Sequence, residues 1–170
     1  MILANNVLLL TATIRPPAGV PELQRTDPTE RMNDYVRALS FYCSIRDTII
    51  PRIVFIENSG FDLSPLSDVV SRADAAHRVE FLSFNGLDHP PRYGRGYGEF
   101  KLLDYAMDNS KTLANAGAAT ILWKVTGRYR VLNIGRIVRT APPNSDLYCD
   151  MRKWPVPWVD LRIFGCTLGG

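Results

Sequence analysis

The chain has 170 residues, 46% hydrophobic and 22% charged, with 20 Lys and Arg against 17 Asp and Glu for a net charge of +3. That balance excludes a disordered or fibrous protein, and a chain of this length buries about 70% of its unfolded surface, enough for a core without staples. The basic residues form no run that would track a nucleic-acid backbone, so no nucleic-acid partner is expected.

Val7 to Ile14 is an apolar, β-branched run closed by Arg15-Pro16-Pro17 and reads as a buried strand. It lacks a basic leader and a small-residue cleavage site, and no transmembrane segment is found. The three cysteines, Cys43, Cys149 and Cys166, are widely spaced and read as reduced thiols, so a cytoplasmic location is expected, with peripheral association at the inner face of the membrane compatible with it.

Asp27-Pro28-Thr29-Glu30 has the composition of a helix start. Met32, Tyr35, Val36, Leu39 and Tyr42 or Cys43 then recur at helical spacing, which predicts a buried face with Arg31, Asp34 and Arg37 turned elsewhere. Arg52 to Glu57 reads as a second strand, Leu66 to Ala76 as a helix capped by Ser64, and Val79 to Phe84 as a third strand.

The next stretch, Arg92-Tyr93-Gly94-Arg95-Gly96-Tyr97-Gly98-Glu99, is a basic glycine-rich loop. Glycines admit a ligand close to the backbone, arginines supply forked donors, and a following helix presents free N–H groups, which together suit a phosphate. No Gly-Lys-Ser/Thr follows, and the spacing is not the strand-linked dinucleotide fingerprint. A third helix is expected from Phe100 to Leu113 with Phe100, Leu103, Ala106 and Met107 inward, and a fourth strand from Thr120 to Val125.

Strand alternating with helix predicts an α/β fold: a Rossmann-like, mainly parallel sheet with helices on both faces. Ligands in such sheets collect beyond the carboxyl ends of the strands. Those ends, Thr11 to Arg15, Glu57 to Ser59, Asn85 to Leu87 and Lys124 to Arg128, should converge on one crevice. In the last of them, alternation sets Lys124, Thr126 and Arg128 on one side, three donors suited to an oxygen-rich ligand. After residue 133 the pattern becomes mixed or antiparallel: Asn133 to Thr140 reads as a short basic helix, and Ser145 to Met151 and Val159 to Phe164 as strands. Residues 1–170 are thus expected to form one domain, with an α/β part over 1–133 and a mixed part over 134–170, and the apolar strand before Gly169-Gly170 leads to the expectation that the natural chain continues.

The glycine loop, the segment LLDYAMDNS and the run WKVTGRYRVLN, with the strands LLLTATIRP, IVFIENSG and VEFLSFNG before them, resemble a bacterial glycosyltransferase of polysaccharide or lipopolysaccharide biosynthesis, in the glycosyltransferase A class. The resemblance implies transfer of a sugar from a nucleoside diphosphate sugar to a glycan or lipid-linked acceptor. It implies that Thr11, Thr13 and Arg15 meet the nucleotide, Glu57 and Asn58 the base or ribose, and Arg92, Arg95 and the backbone of Gly96 and Gly98 the diphosphate or donor sugar. Lys124, Thr126 and Arg128 fall where the class places its Asp-x-Asp metal motif. No Asp-x-Asp is present, so metal-independent transfer with no cofactor is expected, cations standing in for the metal.

An inverting transfer needs a base for the acceptor hydroxyl. Asp150 leads the candidates, with Asp160 on the other late strand and Glu99 at the helix mouth. Each has a structural alternative: Asp150 and Asp160 can pair with Arg152 and Arg162, and Glu99 can favour the helix dipole. Trp154 and Trp158 can stack on sugars or pack against protein. The competing functional class is a nucleotide- or glycan-binding domain of a larger synthase without turnover.

Overall fold

The computed structural model describes residues 6–20, 23–142 and 145–169. The elements run β1 (Asn6–Ala12), α1 (Pro28–Cys43), β2 (Arg52–Glu57), α2 (Ser64–Arg72), β3 (Val79–Ser83), α3 (Gly94–Asn109), α4 (Lys111–Ala114), β4 (Ile121–Thr126), α5 (Ile134–Thr140), β5 (Leu147–Arg152) and β6 (Trp158–Thr167). They build one six-stranded sheet in the order β3-β2-β1-β4-β6-β5. β1 pairs in parallel with both β2 and β4, and β3 extends the parallel half. β6 runs antiparallel to β4, and β5 antiparallel to β6, so the mixed C-terminal part continues the same sheet. The α/β class, the Rossmann-like parallel half and the mixed tail are as the sequence predicts.

Alternation divides the central strands between two apolar layers. Leu8, Leu10, Ile53, Phe55, Trp123 and Val125 face α1, α2 and α5, against Tyr35, Leu39, Leu66, Val70 and Ile134. Val7, Leu9, Val54, Ile56 and Leu122 face α3 and α4, against Leu102, Ala106 and Leu113. Helices therefore cover both faces.

Three helices depart from expectation. α1 opens as read, with the Asp27 carboxylate accepting from Glu30 N–H at 2.8 Å, but Arg31 is buried. α2 stops at Arg72, where Asp74 turns the chain with φ 51°, and Ser64 is its first residue instead of its cap. α3 begins at Gly94 (φ 77°), inside the glycine loop, and buries Leu102 and Ala106, while Phe100 and Met107 stay half exposed. On the same side Tyr105 stacks on Phe84 with ring centroids 3.9 Å apart, and both rings pack against this cluster.

Hydroxyls of α1 then pin the loops that follow the strands. Tyr35 Oη accepts from Thr13 N–H at 3.0 Å, and Tyr42 Oη donates to Tyr129 O at 2.7 Å while accepting from Val131 N–H at 3.0 Å. Burial raises the Tyr42 hydroxyl to a pKa of about 12, so it stays a neutral donor.

Candidate functional site

The strand ends open onto one cavity of about 870 Å³. Thr11 and Thr13 from β1, Asn58 after β2, Leu87 after β3, and Thr126 and Arg128 from β4 all line it. Arg92, Gly94, Gly96, Gly98 and Glu99, at the start of α3, form a second side. Among the described residues no side chain caps this helix start, and a helix start suits an anion. Trp158 to Arg162 of β6 form the outer wall.

Glu99 is the polar centre of the floor. Its Oε1 accepts from Thr11 Oγ1 at 2.6 Å and Thr126 Oγ1 at 2.9 Å and lies 2.5 Å from Lys124 Nζ. All three donors converge on Oε1, and among the described residues no donor reaches Oε2. Lys124 is wholly buried beneath it, donating also to Leu161 O at 2.7 Å and Thr126 Oγ1 at 3.2 Å. Burial pulls the ammonium below the usual lysine range, opposed by the Glu99 and Asp160 carboxylates.

Three cations on the wall have no carboxylate partner among the described residues. Arg31 donates to Thr13 O at 2.6 Å, Arg25 O at 3.1 Å and Tyr35 Oη at 3.2 Å. Arg128 lies over the Tyr129 ring at 4.8 Å and Arg92 over the Tyr93 ring at 5.4 Å. Two buried nitrogens of cavity-lining residues have no hydrogen-bond partner among the described residues: Asn58 Nδ2, whose amide oxygen accepts from Thr13 Oγ1 at 2.7 Å, and His89 Nδ1. Buried polar atoms without partners are rare, and of the three among the described residues these two belong to cavity-lining residues, the third being Thr120 Oγ1. Among the described residues no group of three or more His, Cys, Asp or Glu is placed to hold a metal ion.

Of the residues expected at the site, Thr11, Thr13, Asn58, Arg92, Gly96, Gly98, Glu99, Thr126, Arg128 and Asp160 line this cavity. The Arg95 side chain lies outside the described residues. Four others lie outside its lining. Lys124 faces the right way but lies under the floor, its three N–H groups spent on protein acceptors. Glu57 is wholly buried behind the wall: it accepts from the N–H groups of Ile14 (3.0 Å), Ser59 (2.9 Å) and Phe61 (3.1 Å) and from the Ser59 hydroxyl, tying the loops after β1 and β2 together. Arg15 is exposed and lies over the Phe61 ring at 5.1 Å.

Asp150 is the fourth. It sits on edge strand β5, one strand farther from β4 than β6, and takes Arg152 Nε at 3.0 Å and Nη2 at 2.5 Å. It borders a separate cavity of about 730 Å³ between β5 and α5. Asp160 on β6 borders both cavities and is held by the Arg162 guanidinium, whose hydrogen bonds bring its carboxyl below the usual aspartate range.

Sequence reasoning missed Arg31 and Tyr35 as wall residues. Their signal was present: Arg31, Tyr35, Ala38 and Tyr42 follow a stripe of one α1 face, on which a charged member marks a polar contact. No protein-family model matches the chain, and no curated protein is significantly similar to it.

Proposed function

We propose that this chain is a glycosyltransferase that moves a sugar from a nucleoside diphosphate donor to a glycan or lipid-linked acceptor, as in bacterial surface polysaccharide biosynthesis. The observation carrying this reading is the charge arrangement of the cavity. The guanidinium groups of Arg31, Arg92 and Arg128, which have no carboxylate partner among the described residues, and the start of α3 border a space that also holds the carboxylates of Glu99 and Asp160. A pyrophosphate matches the cations, and sugar hydroxyls match Oε2 of Glu99. Asn58 Nδ2, a buried donor without a partner among the described residues, suits a carbonyl of the base.

In the transfer, the acceptor oxygen bonds to the anomeric carbon as the bond from that carbon to the diphosphate oxygen breaks, and its electron pair leaves on the diphosphate. The hydroxyl proton passes to Asp160, the carboxylate of the outer wall. Glu99, held in place by the Thr11 and Thr126 hydroxyls and Lys124, serves as a positioned acceptor for sugar hydroxyls. Arginine charge at the leaving group supplies the stabilisation that a divalent ion gives elsewhere.

The test is thermal shift against nucleoside diphosphates and their sugars, with and without chelator, followed by assay of nucleoside diphosphate release. Stabilisation by a nucleoside diphosphate that is weakened at least tenfold in Arg128→Ala supports the assignment. Absence of stabilisation by any of them sinks it, and tight binding without release leaves the binding domain without turnover as the reading.

A further inference from the structure

Exposed apolar residues concentrate on the β5–β6 hairpin. Leu147, Met151, Trp154, Val156, Trp158, Val159 and Leu161 are all exposed, Trp154 at 85%, in one segment. The tip, Trp154-Pro155-Val156-Pro157-Trp158, contains two prolines, so it presents few N–H groups that would need water. Patches of this kind mark interaction sites.

The charge around it selects the occupant. Beyond residue 127 the chain carries seven of its 20 Lys and Arg but three of its 17 Asp and Glu, so this part is +4 and everything before it −1. Arg130, Arg136, Arg139 and Lys153 have no carboxylate partner among the described residues, and Arg130 shares a cavity wall with Met151 and Arg152 of the hairpin. A second copy would bring together two chain segments of the same net positive charge, with Lys153 at the tip of the edge pair, which disfavours self-association. An anionic bilayer answers both features: indole rings settle at the headgroup level and arginine and lysine meet the lipid phosphates.

We infer that the β5–β6 hairpin docks the protein on anionic membranes, with Trp154 and Val156 entering the interface and the basic residues beside them meeting the headgroups. Among the described residues no helix is long and apolar enough to cross a membrane, so the contact is interfacial. Trp158, Val159 and Leu161 belong both to the hairpin and to the cavity wall, so docking turns the cavity mouth toward the bilayer.

The experiment is co-sedimentation of the full chain with vesicles of equal parts phosphatidylglycerol and phosphatidylcholine, and with phosphatidylcholine alone. Binding to the anionic vesicles is expected, weakening steeply with salt. The double variant Trp154→Ser, Val156→Ser should lose about tenfold in affinity and Lys153→Gln about fivefold, with melting temperatures unchanged because both sites are solvent-exposed. No sedimentation with anionic vesicles overturns the inference, as does binding that the variants leave intact. A dimer in analytical ultracentrifugation that the double variant dissociates also overturns it, since the patch is then a contact between copies. No nucleotide enters the measurement, so its outcome is separable from that of sugar transfer.

Discussion

Lys124 Nζ and Glu99 Oε1 lie 2.5 Å apart at the floor of the cavity, the lysine wholly buried and the carboxylate open on one side. This pair joins the end of β4 to the first turns of α3, and the threonine hydroxyls of β1 and β4 complete it.

Removing one partner of a buried pair leaves the other uncompensated. Lys124→Met should destabilise the fold by about 3 kcal/mol and Glu99→Gln by about 2 kcal/mol, with a coupling of about 2 kcal/mol in the double variant. Urea unfolding of the four proteins measures this cycle. Additive effects would show that the two groups do not interact.

Glu57→Ala strands the backbone donors of Ile14, Ser59 and Phe61, all within 3.1 Å of its carboxylate. A loss of about 3 kcal/mol is expected, against about 1 kcal/mol for Glu57→Gln, which keeps one acceptor. Equal losses in the two variants would contradict the clamp role.

The Asp160 carboxyl is held low by Arg162, against a smaller opposing effect of burial. A carboxyl with a depressed folded value stabilises the protein above its unfolded pKa of about 3.9 and loses that contribution as pH falls through the lower folded value. Asp160→Asn should therefore flatten the acid side of the stability profile. If Asp160 is the proton acceptor, the acid limb of the transfer rate also lies below the ordinary carboxylate range, and Asp160→Asn lowers kcat more than donor KM. A rate profile breaking near neutrality would exclude it.

Gly165 on β6 faces the ring of Trp123, where an added Cβ would come within 2.7 Å of Cε3 and Cζ3. The indole cannot withdraw without losing its 2.9 Å hydrogen bond to Asn6 Oδ1. Gly165→Ala should cost about 2 kcal/mol by overpacking and alter the near-ultraviolet dichroism of the buried indole. An unchanged melting temperature would show that the strands part easily.

The sheet was legible because its strands are continuous apolar runs separated by helical periodicity, and the convergence of strand ends follows from that order alone. The start of α3 was hidden by Gly94, Gly96 and Gly98, which weaken any helix signal although they sit in its first turns. Alternation gave the side on which Lys124 points but not its depth, which depends on Leu161 O arriving from β6. Asp150 and Asp160 look alike in sequence, each two residues before an arginine. Only the strand order, with β5 at the edge, separates them.

Leu161 O takes one of the three N–H groups of Lys124, so a single ammonium spans two opposing parts of the pocket. Outward travel of β6 would strip that ammonium of an acceptor deep in the protein interior, at the same moment loosening the carboxylate on its other side. The stretch of β6 that runs on past the Val125–Ile163 pair is thereby tied to the pocket floor by one buried side chain.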